Sequence, residues 1–247
     1  TKLRFLKSEL NKFLFNLNPS FIRIFKSFLI PFVFKDVIKD SNILKTNQLK
    51  GSWVAIISKK KLDKIEKDIF KDKNKQSRII TADLKHKSKT IKLINIYTPN
   101  GNPVDTEKYT YKLYWLESLI QKLKGYLKKK DNIIIGGDFN IIPSAEDVHN
   151  PKGYENDALF RLEIRKKLRE LLSLGFHDAY RYIHPDKEGY TFWDYTSGAW
   201  QKNNGMRIDH FLVSNSIINL VKDVKINKFP RGRQKPSDHT PIEIELT

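Results

Sequence analysis

The stretch Asn132-Ile133-Ile134-Ile135-Gly136-Gly137-Asp138-Phe139-Asn140 decides the fold of this chain. Its three consecutive isoleucines predict a central β-strand that runs into a loop. The two glycines let the backbone turn sharply at that point and leave room for a phosphate. Asp138 and Asn140 are two residues apart, so we expect their side chains to point to the same side, where they can hold a nucleophilic water and a phosphoryl oxygen. The alternative is an ordinary turn, in which Asp and Asn are common.

Strands and helices alternate along the chain from Ser52 onward. Short apolar or alternating runs predict strands at 53–58, 78–84, 91–97, 132–136, 208–214 and 242–246. Apolar residues at helical spacing predict an amphipathic helix at 107–128, and a second helix is predicted at 158–174. This alternation indicates an α/β layered fold. The length of 247 residues favours one domain spanning 1–247, in which 1–51 differ in composition from the rest.

The composition of the chain limits its chemistry and its partners. A formal net charge of +18 favours a polyanionic partner, although a lysine-rich surface can also arise by drift in an AT-rich genome. The absence of cysteine excludes disulfides, a thiol nucleophile and a zinc–thiolate site, and it fits a reducing cytoplasm. The apolar segment 13–34 is interrupted by charges and prolines, so we expect no membrane span. Because the chain begins at Thr1 and its only methionine is Met206, we expect its natural start to be missing.

Two further clusters combine acidic and basic side chains. In Ser237-Asp238-His239, the His can move protons near neutral pH and the Asp can bind a hard cation. The alternative is a surface pair or a satisfied core histidine. In Arg207-Ile208-Asp209-His210, the ionised Asp209 lies in an apolar strand and needs a buried cationic partner. That partner is either a charged His or Arg within a site, or Arg207 in a local salt bridge.

The segment Tyr190-Thr191-Phe192-Trp193-Asp194-Tyr195 is densely aromatic. Such rings can stack on bases or line a pocket for a flipped sugar. The alternative is that each ring packs in the core.

Together, these clusters resemble the exonuclease III family of abasic-site endonucleases, within the endonuclease–exonuclease–phosphatase superfamily. The resemblance covers residues 52–247. The matching text comprises Val54–Ser58, Arg78-Ile79-Ile80, Tyr97-Thr98-Pro99-Asn100-Gly101, Lys108-Tyr109, Lys112-Leu113, Trp115-Leu116, Gly137–Asn140, Asp147, Asp178-Ala179, His184-Pro185, Tyr190–Tyr195, Arg207–His210 and Ser237–Ile242. The resemblance implies a four-layer sandwich, in which two mixed β-sheets pack face to face and are flanked by helices, as in DNase I-like folds. The active site would lie where loops from both sheets meet at one end.

The resemblance also implies a role for each matching residue. Asp138 would orient or deprotonate the attacking water, and Asn140 would hold the phosphate. His239 would bind a phosphate oxygen, and Asp209 would fix its ring and keep it charged. The remaining implied roles are phosphate contact for Tyr97, backbone contact for Asn100, substrate binding for Phe192, Trp193, Met206 and Arg207, and metal binding for Asp238, Asp138 and Asn140.

The implied reaction is attack of water on a phosphodiester 5′ to an abasic site, which leaves a 3′-hydroxyl, together with removal of 3′ nucleotides or 3′ blocking groups. The implied cofactor is Mg²⁺, with Mn²⁺ as a substitute, because these cations take oxygen ligands and help to stabilise phosphoryl charge. The implied partner is double-stranded DNA, held through its phosphates by a monomeric, bacterial-type protein that needs no membrane.

The first fifty residues depart from the family pattern. The family's main metal ligand is a Glu at the end of an early strand, but no glutamate occurs between Glu9 and Glu66. Asn16 is the candidate for the Asn of the family's opening strand. Three hypotheses remain: this segment is truncated or frame-shifted, Asp36 or Asp40 replaces the ligand, or the protein is a catalytically impaired DNA-binding relative. The first is favoured because the later motifs are intact. A phosphoinositide-cleaving relative is a further alternative, which the aromatic segment and the charge disfavour.

Overall fold

The computed structural model describes residues 21–26, 42–45, 54–58 and 60–247, the first two ranges only as backbone strands. Its strands are β1 (Phe21–Lys26), β2 (Asn42–Lys45), β3 (Val54–Ser58), β4 (Leu62–Lys67), β5 (Ile79–His86), β6 (Lys89–Tyr97), β7 (Asn132–Asp138), β8 (Phe176–Asp178), β9 (Asp209–Ser214), β10 (Val221–Ile226) and β11 (Ile242–Leu246). Its α-helices are α1 (Glu107–Lys128), α2 (Leu162–Ser173) and α3 (Ala179–Ile183).

The strands form two sheets. One has six strands in the order β4-β5-β6-β7-β9-β8, and it is mixed because β6 and β7 run parallel. The other has five strands in the order β10-β11-β1-β3-β2, and every pairing in it is antiparallel. Among the described strands, the predicted mixed character is therefore found in the six-stranded sheet. A parallel pair needs a long crossover, and the helix α1 supplies one between β6 and β7.

The alternation of side chains along β6 shows where the layers lie. Ile91 and Leu93 face a core shared with the five-stranded sheet, whereas Ile94 and Ile96 face a second core shared with α1 and α2. Successive side chains on a strand point to opposite faces, so one strand serves both cores. The central strand β7 does the same with Ile134 on one side and two isoleucines on the other. The six-stranded sheet is therefore the middle layer.

The helices α1 and α2 cover the outer face of the six-stranded sheet, whereas the short helix α3 packs against the core shared by the two sheets. The helix predicted at 107–128 is confirmed as α1. The second helix begins at Leu162 rather than at 158, because Ala158, Leu159 and Phe160 form a turn that is divided between two hydrophobic clusters. The described residues thus show three of the four predicted layers: the five-stranded sheet, the six-stranded sheet, and the layer of α1 and α2.

The two sheets are also joined by a polar contact. The Asn95 side chain on β6 donates a hydrogen bond of 2.8 Å to the Ala55 carbonyl on β3. Strand β1 lies between β11 and β3, so the early part of the chain completes the five-stranded sheet. In the part of the chain that is described, no helix combines the length and the apolar character needed to cross a bilayer.

Candidate active site

Three predicted site residues lie side by side at one edge of the six-stranded sheet. Tyr97 at the end of β6 is in register with Asp138 at the end of β7, and Asp138 is in register with Asp209 at the start of β9. Because β6 and β7 run parallel, their C-terminal ends lie at the same edge. Because β9 runs antiparallel to β7, the start of β9 lies at that edge too. Asp138 is fully buried and Asp209 is 9% exposed.

Gly137 allows this close arrangement of strands. Its φ angle is +135°, a region that residues with a side chain rarely adopt. A Cβ atom at this position would lie 2.1 Å from the Ile96 carbonyl oxygen and 2.9 Å from the Asn95 side-chain oxygen. The glycine predicted to leave room for a phosphate instead makes room for the neighbouring strand, one residue before Asp138.

Asp138 and Asn140 form a closed hydrogen-bonded pair. The Asn140 backbone N–H donates to Asp138 Oδ1 at 2.9 Å, and the Asn140 amide nitrogen donates to Asp138 Oδ2 at 3.1 Å. The same amide donates to the Thr98 carbonyl at 2.8 Å. Asn140 has a φ angle of +49°, which Asn tolerates better than most residues. The turn fixes both side chains on the same side, as the sequence predicts.

His239 joins this edge from the segment before β11. Its Nδ1 lies 2.8 Å from Asp209 Oδ2, so the carboxylate fixes the ring and directs Nε2 away from itself. Asp209 is the partner of His239 and not of Arg207, which settles the choice left open by the sequence. The Thr191 hydroxyl accepts hydrogen bonds of 3.1 Å from the backbone N–H groups of Ile208 and Asp209 and thereby positions the carboxylate.

The other predicted contact residues lie around this group. The Asn100 amide nitrogen approaches Asn140 Oδ1 at 3.4 Å. The Phe192 ring packs edge-on against His239, with centroids 5.0 Å apart. Met206 is 5% exposed and belongs with Phe192 to one hydrophobic cluster. Asp238 is half-buried, and its carbonyl accepts a hydrogen bond from the Trp193 backbone N–H. The structure therefore brings Tyr97, Asn100, Asp138, Asn140, Phe192, Asp209, Asp238 and His239 to one end of the molecule, here called the catalytic edge.

Two predicted substrate-binding residues require correction. Trp193 is fully buried, donates a hydrogen bond from its ring to Asn203, and packs with Tyr190 and Trp200. Arg207 is 1% exposed, and its guanidinium is held by carboxylates. Neither side chain presents a surface to a ligand, so both have structural roles. Trp193 follows Phe192 and Arg207 lies two residues before Asp209, so the buried side chains anchor the backbone that carries Phe192 and Asp209.

Arg207 is the centre of a buried ion cluster, here called the Arg207 cluster, that also contains Asp147, Asp178 and Arg181. Arg207 contacts Asp147 and Asp178 at 2.7 Å each, and Arg181 contacts Asp147 at 2.6 Å. Burial alone would raise the pKa of Asp147, but the hydrogen bonds and charges of Arg207 and Arg181 outweigh it and hold that pKa at about 2. Burial and the Arg207 charge lower the pKa of His210, which favours a neutral ring.

No functional role was predicted for Lys112, which is fully buried beneath the catalytic edge. Its ammonium donates to the carbonyls of Asn140 at 2.6 Å, Asn100 at 2.9 Å and Ala158 at 2.9 Å. Burial lowers its pKa to about 7, against the opposing influence of Asp138 and Asp157. A signal was available, because Lys112 lies on the apolar stripe of α1 between Tyr109 and Leu116.

The oxygen donors of the catalytic edge are of the kind that Mg²⁺ prefers. Asp138, Asn140 and Asp238 offer carboxylate and amide oxygens, and Mg²⁺ commonly keeps several water ligands. In the described ranges, however, no three His, Asp or Glu side chains form a group able to hold a metal ion. The donors thus fit a hard divalent cation in type, with few protein ligands. The candidates Asn16, Asp36 and Asp40 lie outside the described residues.

Comparison with known proteins identifies the family of this chain. The model of the Endonuclease/Exonuclease/phosphatase family matches residues 31–239. Exodeoxyribonuclease III of Haemophilus influenzae is 33% identical over 207 residues, which cover 80% of this chain and 78% of that protein. The chain spans a smaller share of other relatives, for example 64% of the exodeoxyribonuclease of Bacillus subtilis and 55% of a DNA-(apurinic or apyrimidinic site) endonuclease of Dictyostelium discoideum.

Solved structures give the same result. An AP endonuclease from Archaeoglobus fulgidus is 31% identical, with a TM-score of 0.78 over 84% of this chain and 79% of that one. A 3′ phosphatase from Neisseria, bound to a product DNA hairpin, is 26% identical, with a TM-score of 0.85 over 97% of this chain and 93% of that one. The predicted DNase I-like fold is thereby confirmed. The chain belongs to the endonuclease/exonuclease/phosphatase family, in its branch of exonuclease III-type and abasic-site endonucleases.

Proposed function

We propose that this chain is a DNA repair nuclease that hydrolyses the phosphodiester 5′ to an abasic site and removes 3′ nucleotides or 3′ blocking groups. The observation that carries the proposal is the alignment of Asp138, Asp209 and His239 across adjacent segments, with Asn140 bonded to Asp138. A carboxylate, an amide and an imidazole that meet at one sheet edge supply an acceptor for a water proton and donors for phosphate oxygens.

In this proposal, Asp138 activates the attacking water. Its carboxylate is oriented by two hydrogen bonds from Asn140, so it is held ready to accept a proton from water. A bond forms between the water oxygen and phosphorus, and the bond between phosphorus and the 3′ oxygen breaks. The departing 3′ oxygen takes up a proton from solvent water and becomes a 3′-hydroxyl, while the phosphate stays on the abasic sugar and Asp138 later returns its proton to solvent.

In this proposal, the scissile phosphate is bound by His239, Asn140 and Asn100. His239 donates from Nε2 to a phosphate oxygen, and the contact of 2.8 Å between Nδ1 and Asp209 Oδ2 holds the ring in that orientation. The Asn100 amide nitrogen lies 3.4 Å from Asn140 Oδ1, so both amides can reach one phosphate once Asn140 exchanges its hydrogen bond to Asp138 or Thr98 for one to a phosphate oxygen. Phe192 lies against the His239 ring, where an apolar wall would face the base-free sugar. Tyr97 lies beside Asp138 in register and contributes a further phosphate contact.

A divalent cation completes the proposed site, with Mg²⁺ as the natural ion and Mn²⁺ as a substitute. Asp238, Asp138 and Asn140 would hold it through oxygen atoms. When bound, the cation would neutralise charge that develops on the phosphoryl oxygens. The net charge of +18 supports duplex DNA as the substrate, because phosphate neutralisation supplies affinity without sequence selection.

The test is a nicking assay on a 5′-labelled duplex that carries one stable abasic analogue. We expect a single nick 5′ to the analogue with a 3′-hydroxyl end in Mg²⁺ or Mn²⁺, no nick in EDTA, and no nick in an intact duplex. A second duplex with a 3′-phosphate end reports removal of blocking groups. Tight duplex binding without cleavage under any divalent ion would instead identify a catalytically impaired DNA-binding relative. Hydrolysis of phosphoinositides but not of DNA would identify a different branch of the family.

A further inference from the structure

Lys112 is a buried cation without a carboxylate among its hydrogen-bond partners. All three of its close partners are backbone carbonyls, from Asn100, Asn140 and Ala158. An ammonium has three N–H donors, and the three carbonyls match that number. Lys92, a buried lysine on strand β6, has the usual arrangement and contacts Asp83 at 2.7 Å. Lys112 is therefore arranged to hold the main chain rather than to neutralise an acid.

The three carbonyls belong to three separate loops. Asn100 follows β6, Asn140 follows β7, and Ala158 lies in the turn before α2. The connection between two of these loops is reinforced by Asn102, whose amide donates to Asp157 at 3.0 and 3.1 Å. One helix side chain thus links the loops that bear the two amides of the catalytic edge to the loop that precedes α2.

The loop after β6 is shaped around the Lys112 side chain. Gly101 has a φ angle of +88°, and a Cβ atom there would lie 2.6 Å from the Lys112 Cδ atom. The chain next to Asn100 therefore passes directly over the lysine stem. An apolar side chain at 112 would cost less to bury, since removing an ion from water carries a large penalty. Burying the Lys112 ammonium therefore costs free energy, and its hydrogen bonds to the three carbonyls offset that cost.

We propose that Lys112 is a positioning residue of the nuclease, whose ammonium fixes the main chain at Asn100 and Asn140 so that their amide groups converge on one phosphate. Lys112 does not touch the substrate, and its effect passes through the two asparagines. The inference rests on the proposed function, because it assigns Asn100 and Asn140 to the scissile phosphate. It also makes a claim about geometry that is independent of activity.

The kinetic test compares Lys112→Met with Lys92→Met. Lys92 lies five residues before Tyr97 on the same strand, about 16 Å away by the rise of a strand. Both variants lose a buried ammonium, so both are expected to melt at lower temperatures than the parent. We expect kcat on the abasic duplex to fall about 100-fold in Lys112→Met and less than 3-fold in Lys92→Met, each measured well below its melting temperature. Equal kcat values for the two variants would overturn the proposal.

A double-mutant cycle separates positioning from general destabilisation. If Lys112 acts through Asn140, then Lys112→Met should reduce kcat much less in an Asn140→Ala background than in the parent. Losses that simply multiply would show that Lys112 does not act through Asn140. If Lys112→Met does not fold, Lys112→Gln replaces it in the cycle, because Gln removes the charge but keeps N–H donors for some of the carbonyls.

An NMR measurement distinguishes failure of this inference from failure of the proposed function. In Lys112→Met, the side-chain amide signals of Asn100 and Asn140 should shift or broaden, while those of Asn203, which lies by Trp193, should stay in place. If the parent cleaves no DNA but these signals move, the proposed function is wrong and the positioning role stands. If the parent cleaves DNA and the signals do not move, the positioning role is wrong.

Discussion

The catalytic edge and the Arg207 cluster both pair carboxylates with cationic or titratable side chains, but the two regions serve different purposes. Arg207 and Asp209 are two residues apart, yet each has found partners in a different region. In the cluster, two carboxylates surround a guanidinium that is 1% exposed. At the edge, Asp209 meets a histidine whose side chain is 12% exposed. A closed, internally neutralised network stabilises the fold, whereas groups that reach the surface remain available to a ligand.

The largest expected effect is the loss of cleavage in His239→Ala. Removing the imidazole removes a donor to the phosphate, so kcat should fall roughly 10²–10⁴-fold. The fold should stay intact, with a lower melting temperature, because the buried Asp209 loses its partner at 2.8 Å. The matched control is His177→Ala, because His177 contacts Asn215 outside the catalytic edge, and this variant should cleave like the parent. A His239→Ala protein as active as the parent would remove His239 from the site.

Arg207→Met should have the opposite effect, on stability rather than on chemistry. It leaves Asp147 and Asp178 buried with less compensation, which should lower the free energy of unfolding by about 3–5 kcal/mol. Urea unfolding at neutral pH measures this loss. Arg181→Met is the matched control, because it removes a partner of the same Asp147 from a site that is 21% exposed, and its loss should be smaller. Equal losses would contradict the central place of Arg207.

The Arg207 cluster should also make the fold sensitive to acid. The pKa of Asp147 is lowered from 3.8 to about 2, so its contribution to stability is present above the ordinary value and is lost as the pH falls towards 2. That shift corresponds to about 2 kcal/mol. The difference in unfolding free energy between the parent and Asp147→Asn should therefore narrow between pH 4 and pH 2. A difference that stays constant with pH would show that the carboxylate charge is unimportant.

The smallest effect is expected at Thr191, which lies between the two regions. Thr191→Val removes the acceptor of two backbone N–H groups next to Asp209, which should cost roughly 1–2 kcal/mol of stability. Because Asp209 then loses part of its support, kcat should also fall, but only a few-fold. Unfolding and cleavage measured on the same preparation test both parts. A change in stability with no change in kcat would show that His239 alone holds the carboxylate.

Much of the fold could be predicted from the spacing of apolar residues, and much of the catalytic edge could be predicted from the sequence motifs. The helix at 107–128 and the strand at 242–246 agree with the structure because their apolar spacing is regular. The strands β4 and β8 were not predicted. Only two of the six β4 residues are partly or fully buried, so no apolar pattern marks the strand, and β8 has only three residues. The sequence also could not tell that Arg207 faces away from Asp209, because partners distant in the chain, Asp147 and Asp178, decide its direction.

The most direct test of the central claim is a double-mutant cycle on single-turnover cleavage of the abasic duplex with Asp138→Asn and His239→Ala. If the two side chains serve one transition state, as their common edge predicts, the double variant should be about as slow as the slower single variant, because residues that act as a unit are far from additive. If the two losses multiply in full, Asp138 and His239 act independently, and the single catalytic edge described above is contradicted.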